Sequence, residues 1–296
     1  MARTVPDKGL TVRSLVLDAA ARLEEAGVAF GHGTTNAIDE AAWLVLHSLG
    51  LPVSELGPYL DLAVDAGRAK AAKALVGKRI RTRKPAAYLL KEAWLGPQRF
   101  YVDERVIVPR SFIAELLRPR LVPWIKDASR VRTVLDLCTG SGCLAILAAL
   151  AFPKASVDAA ELSRDALAVA RKNVAAYRLD KRVHLVQSDL FGALAGRTYD
   201  VIVSNPPYVT AASMKRLPEE YLREPEMALA SGRDGLAHTR TILAQAKAHL
   251  NPGGLLVVEI GHNRKALERA FPKLAFHWPT VSAGPGFVFI LRREDL

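Results

Sequence analysis

The sequence predicts an α/β chain in which a small helical domain precedes a mostly parallel, doubly wound sheet that ends in an antiparallel hairpin. Three observations carry this reading. From Leu10 to about Tyr88 apolar residues recur three and four apart, as in Leu15, Ala19 and Leu23, which is the period of helices packed on one face. After Ser111 short apolar runs alternate with helix-like segments, as a parallel sheet covered on both faces requires. Near the end, FHWPTV and FVFILRR lie too close together for a helical crossover, so they pair as an antiparallel hairpin at one sheet edge. At roughly 100–200 residues per domain, 296 residues hold two domains of unequal size.

The expected division is a helical domain over 1–92, a β-hairpin linker over 93–110 and a sheet-containing domain over 111–296. In the helical part, Ile38, Ala42, Val45, Leu46 and Leu49 continue the apolar stripe. Asn36 with Asp39 three residues on has the form of a helix N-cap with a reciprocal acid, and Gly50 followed by Pro52 stops that helix. In AWLGPQRFYVDERVIVPR, Phe100, Val102, Val106 and Val108 are β-prone around the Gly96-Pro97 turn. Beyond it, RTVLDL, ASVDAAEL, HLVQSDLF, YDVIVSNPPY and LLVVEIG read as successive strands, with GCLAILAALAF and RDALAVARKNVAAYRL as helices between the first three. A mostly parallel sheet finishing in such a hairpin is similar to the Rossmann-like class I methyltransferases.

Composition narrows the setting. Half the residues are hydrophobic and 24% are charged, which excludes a disordered or collagen-like chain. Cys138 and Cys143 are the only cysteines, too few for a disulfide framework or a four-cysteine zinc site, and the simplest reading of them is as small residues packing a turn. No histidine pair has metal-ligand spacing, so no metal is expected. The N-terminal stretch lacks the continuous apolar core of a signal peptide, and no run approaches the roughly 18 apolar residues of a membrane span, which together predict a cytoplasmic protein. Subtracting 30 acidic from 41 basic residues leaves +11, and eight basic residues (Arg68, Lys70, Lys73, Lys78, Arg79, Arg81, Arg83, Lys84) stand with no acid between them. That run is either a solvated helix face or a contact surface for RNA or an acidic partner.

Two loops carry the chemistry. In LDLCTGSGC, Gly140 and Gly142 fall at a strand-to-helix turn, where the missing Cβ admits positive φ and close approach of a ligand to helix N-terminal N–H groups. Alone, this turn is shared with dinucleotide-binding folds, in which an acid about 20 residues further on serves the ribose hydroxyls, as Glu161 could in either case. Asp136, four residues before Gly140, would repel a pyrophosphate but suits the ammonium and sulfonium of S-adenosyl-L-methionine. Asp189 in QSDLF is placed to accept from an adenine amino group.

The second loop is NPPY, Asn205-Pro206-Pro207-Tyr208, at the end of the fourth strand. Two prolines alone could be a rigid stop, which leaves the amide before them and the aromatic after them unexplained. Methylating an amide or exocyclic amine is hard because the nitrogen lone pair is delocalised, so acceptors that hold both N–H groups and aim the nitrogen are valuable. The Asn205 side-chain oxygen is one. The Pro206 carbonyl is the other, its direction fixed by two prolines in succession. Tyr208 can stack on the amide plane and the cationic methyl.

Over nearly its whole length, the sequence resembles the HemK/PrmB-like protein-(glutamine N(5)) methyltransferases. RKPAAYLLKEAW, FYVDERVIVPRS, LDLCTGSGCLAI and EPEMALASGRDGL resemble the branch acting on the third large-subunit ribosomal protein, and Pro109-Arg110 leading into Ser111-Phe112 differs from the release-factor branch. The resemblance implies that Asp136, Gly140, Gly142, Glu161, Asp189 and Asn205 hold S-adenosyl-L-methionine. It implies catalytic roles for Asn205, Pro206 and Tyr208, with Pro207 joining them around a substrate glutamine. The implied partner is a ribosomal protein, met free or within an assembly particle whose rRNA would face Arg68 to Lys84. Glu161 stands where similar proteins commonly have Asp, and Thr210 where an acid is common. Glu259, His262 and the Glu224 to Leu236 loop receive no assigned role. The alternatives are methylation of a release factor, nucleic-acid adenine or cytosine amino-methylation, which uses a similar loop on a flipped base, and a non-catalytic ribosome-assembly factor. A scaffold would have no need of Asn205.

Overall fold

The structure, a computed structural model, describes residues 10–296. The reading of the first residues as free of a leader therefore falls partly outside the described residues. Among these, no helix is long and apolar enough to cross a membrane. The chain divides into two compact units, one of residues up to Glu92 together with Pro218–Arg223, the other of Ala93–Leu217 and Glu224–Leu296.

The first unit is helical. Helix α1 (Val12–Glu25) starts in a capping box between Thr11 and Ser14 and buries Leu15, Val16, Ala19 and Leu23. Helix α2 (Ala37–Ser48) begins where Asn36 accepts from the Asp39 N–H at 2.9 Å and donates to its carboxylate at 2.7 Å. Asp65 caps α3 (Ala66–Thr82), whose Ala69, Ala72 and Val76 face inward, and the short α4 (Ala86–Leu90) follows.

The basic run around α3 resolves into two groups. Arg79 is only 1% exposed, with Nε donating to Glu40 at 2.7 Å and the guanidinium also reaching Glu220 and the Ala29 carbonyl. Arg83 binds Glu220 and the carbonyls of Ala26 and Gly27, and Arg68 reaches the Leu49 carbonyl. These arginines hydrogen-bond within the unit, Arg68 from an exposed position, while Lys70, Lys73, Lys78 and Arg81 are exposed. Glu220 brings the distant segment Pro218–Arg223 into this unit, where Tyr221 also lies 4.2 Å from the His32 ring.

The second unit opens with a hairpin of β1 (Ala93–Leu95) and β2 (Gln98–Phe100), then α5 (Ile113–Leu117). Its six-stranded sheet comprises β3 (Thr133–Leu137), β4 (Ser156–Glu161), β5 (Val183–Gln187), β6 (Tyr199–Ser204), β7 (Leu250–Glu259) and β10 (Val288–Arg292). In space the order is β10-β7-β6-β3-β4-β5, all parallel except β10, which runs antiparallel to β7 at one edge. The short pair β8 (Thr280–Val281) and β9 (Gly284–Pro285) precedes it, and His277 bridges antiparallel to Ile290. Helices α6 (Cys143–Ala151), α7 (Arg164–Ala176), α8 (Ala211–Met214), α9 (Ala237–Ala246) and α10 (Arg264–Ala270) occupy the connections.

Alternation along the strands builds two cores. Val134, Val157, Val201 and Val257 point to the face covered by Leu144 and Ile146 of α6, and Leu135, Ile202, Leu256 and Phe289 to the face covered by Ile242 and Leu267. Because both faces are buried, the strands read as continuous apolar runs.

Candidate active site

Register places the site. Leu137 pairs with Ala160 and Ser204, Glu161 with Gln187, and Ser204 with Val258, so the residues that follow these positions leave the sheet side by side at its carboxyl edge. This is where ligands bind in open α/β sheets, near the strand from which the order runs both ways. The Ser204 hydroxyl fastens the arrangement by donating to the Leu137 carbonyl at 2.9 Å.

An open cleft lies there. Gly140, Glu161, Asp189, Asn205 and Pro207 are on its wall, and Asp136, Gly142, Pro206 and Tyr208 are not. Gly140 has φ +54°, and a Cβ there would meet open space; its N–H donates to Glu161 Oε2 at 2.9 Å, while Oε1 accepts from Ser163 N–H at 3.0 Å. Gly142, at φ +79°, is the N-cap of α6, and a Cβ there would come within 3.2 Å of the Ala170 Cβ. Asn173 ties the turn to the preceding linker by donating to the Ser141 and Tyr101 carbonyls.

Asp136 is fully buried. Its Oδ2 accepts from the Thr139 hydroxyl and from the Ala145 N–H of α6, and its Oδ1 has no partner. Burial, opposed by those two hydrogen bonds, pushes its carboxyl up to about 7. A carboxyl whose folded pKa is raised adds stability that is complete below its unfolded pKa and is lost as pH rises through about 7. Asp136→Asn should therefore match the native protein near pH 4 and exceed it at pH 8, by roughly 4 kcal/mol at most. Denaturant unfolding at the two pH values measures the difference.

In the second loop, the Asn205 Oδ1 is likewise buried without a hydrogen-bond partner. Pro206 and Pro207 are buried. The Tyr208 hydroxyl donates to Glu259 Oε1 at 3.3 Å, and its carbonyl accepts from Asn263 Nδ2 at 2.7 Å. Thr210 caps α8 by accepting from Ser213 N–H. The stretch from Glu224 is laid along this loop: Val209 donates to the Leu229 carbonyl and accepts from Ser231 N–H. Glu224 itself grips Arg110 through two bonds of 2.6 Å and accepts from Val108 N–H.

Sequence reasoning missed part of the wall. Arg105, Val106 and Ile107, read as linker, line the cleft, held by the paired bonds of Arg105 to Asp103. His238 also lines it, with Nδ1 2.9 Å from the Ser231 hydroxyl, and burial lowers its pKa, which favours the neutral ring. Cys138 lines the cleft in a left-handed conformation (φ +58°) and Cys143 is buried; burial raises both thiols, Cys143 to about 12, so neither is a ready nucleophile. His262 lies edge-on to Phe287, with ring centroids 4.9 Å apart.

A glycine turn between parallel strands, acids at the next two strand ends and an antiparallel last strand define a class I methyltransferase, an enzyme whose methyl donor is S-adenosyl-L-methionine. Residues 120–234 match the family model described as "Methyltransferase small domain". The chain is 55% identical to a ribosomal protein uL3 glutamine methyltransferase of Neisseria meningitidis serogroup B over 97% of its own length and 94% of the relative's. To the protein of that name from Burkholderia pseudomallei it is 52% identical, over 99% and 98%. The hMettl16 catalytic domain, solved in complex with a MAT2A 3′UTR hairpin, shares the fold at a TM-score of 0.50 and 15% identity, over 77% of this chain and 81% of that one. The chain belongs to the family of ribosomal protein uL3 glutamine methyltransferases.

Proposed function

We propose that this enzyme methylates a glutamine side-chain amide of ribosomal protein uL3, and that the amide is held between Asn205 and Pro206. The observation that carries the reading is the buried, unpartnered Asn205 Oδ1 in a loop that two prolines stiffen beside the cleft. An orphaned acceptor is costly unless a donor arrives, and an amide N–H is such a donor.

The residues present fit S-adenosyl-L-methionine. Asp136 Oδ1, the other orphaned acceptor, suits an ammonium; Glu161 suits ribose hydroxyls; Asp189, exposed at the cleft, suits an adenine amino group; Gly140 leaves open space at the cleft, and Gly142 lets the start of α6 pack close to Ala170. Bound there, S-adenosyl-L-methionine supplies an electrophilic methyl group on a positively charged sulfur. Asn205 Oδ1 and the Pro206 carbonyl accept the two amide hydrogens, which fixes the nitrogen's direction and draws electron density toward it. Tyr208 packs beside the amide plane. No ionised base is needed before attack, since the amide proton becomes acidic once the nitrogen is alkylated. Orientation and charge stabilisation supply the rate.

The helical part, residues 1–92, would recognise the substrate, with 93–110 as a linker to the catalytic part, 111–296. A ribosomal substrate suits a cytoplasmic enzyme acting during ribosome biogenesis. If the substrate is met in an assembly particle, the exposed Lys70, Lys73, Lys78 and Arg81 are the cations available to rRNA. Activity on such particles should then fall more steeply with salt than activity on free uL3. The deciding experiment incubates the enzyme and labelled donor in parallel with uL3, a release factor, DNA and RNA. Label in uL3 alone supports the reading, and label confined to the release factor or to nucleic acid overturns it.

A further inference from the structure

We infer that Glu259, Gly261 and Asn263, at the end of β7, form a cradle that positions Tyr208 relative to Asn205, with Glu259 as the positioning residue for methyl transfer. The inference rests on the proposed role of the NPPY loop.

Three alternate residues grip three parts of one tyrosine. The Glu259 Oε1 accepts from its hydroxyl at 3.3 Å. Gly261 adopts φ +55°, and a Cβ there would come within 2.7–2.9 Å of the ring carbons, so the ring lies directly on this backbone. Asn263 Nδ2 donates to its carbonyl at 2.7 Å. The carboxylate is fixed in turn, because its Oε2 accepts from the Ser111 hydroxyl at 2.7 Å and from Phe112 N–H at 2.9 Å. That leaves Oε1 to the tyrosine.

Packing alone does not call for this arrangement. A phenylalanine would fill the ring's place, and an apolar residue would fill that of Glu259, which is 1% exposed. Burial pushes the Glu259 carboxyl up to about 7 despite its three donors, so keeping it there costs stability at neutral pH. What the carboxylate provides is a fixed ring orientation three residues after Asn205. When reacting groups must be aligned within a fraction of an ångström, holding a neighbouring ring affects turnover more than stability.

The test is a double-mutant cycle in the full chain, with uL3 and S-adenosyl-L-methionine as substrates. Glu259→Leu and Tyr208→Phe should each lower kcat about tenfold, with the donor's Kd unchanged and the fold intact by circular dichroism. The double variant should be no slower than the slower single variant, because both changes remove one bond. Glu259→Gln, which can still hydrogen-bond the phenol, should recover kcat to within about threefold of the native enzyme. Losses that multiply in the double variant, or a Gln variant as slow as Leu, would overturn the inference. Should Glu259→Leu fail to fold, Ser111→Ala replaces it, and its effect on kcat should vanish in the Tyr208→Phe background; persistence there is equally contrary. Absence of methylation by the native enzyme would instead contradict the proposed function itself.

Discussion

Asn205→Ala is expected to lower kcat on uL3 by about 10²–10³, while the Kd for S-adenosyl-L-methionine changes far less because Asp136, Glu161 and Asp189 still hold the donor. The side-chain oxygen is buried and without a partner, so its removal strands no other group, and the fold should survive. What is lost is one of two acceptors proposed to hold the amide, leaving the nitrogen free to rotate away from the methyl. Because that hold orients the amide during transfer, the loss should fall on kcat more than on KM. Steady-state kinetics with labelled donor, alongside calorimetric titration of the donor, separates the two quantities. Unchanged kcat would show that Asn205 is not part of the reaction.

The largest stability effect belongs to the helical unit. Arg79→Ala should destabilise it by about 3–5 kcal/mol, since one partner of a buried ion pair is removed and the other stays. Glu40, 1% exposed, would keep only the Thr34 hydroxyl at 3.0 Å. Glu220 would retain Arg83 at 3.2 Å, so the greater penalty falls on Glu40. Hydrogen exchange read by mass spectrometry should show peptides from α2 and α3 losing protection by two orders of magnitude or more, with the strands of the sheet unaffected. Adding Glu40→Leu to an Arg79→Met variant should recover much of the loss, because an apolar pair in the same space carries no stranded charge.

The legible parts of the molecule are those whose signal is local. Gly140, Gly142 and the strand periodicity around them lie in one contiguous stretch, and so does NPPY with its stiff prolines. The parallel strands are legible because two buried faces leave continuous apolar runs, as in VLDL and VIVS. The illegible parts depend on partners far apart in sequence. Arg79 looked like one cation among eight because Glu40 and Glu220 lie 39 and 141 residues away. Glu259 had no visible role because its partners are Ser111 and Tyr208. The wall formed by Arg105 to Ile107 depends on short-range bonds to Asp103 in an irregular segment, which the β-prone Phe100, Val102, Val106 and Val108 made read as strand rather than as part of a site. Asp136 was legible as an important acid, but not its full burial or the capping of α6 by its Oδ2.

The most direct test of glutamine-amide methylation is chemical. After transfer from donor labelled in the methyl group, the modified uL3 is isolated and hydrolysed in strong acid, which cleaves side-chain amides. Methyl on the amide nitrogen must leave as labelled methylamine, with tandem mass spectrometry of an unhydrolysed sample placing it on a glutamine. Label retained on a methylated amino acid that survives hydrolysis, or recovered on a nucleobase from copurifying RNA, would contradict it.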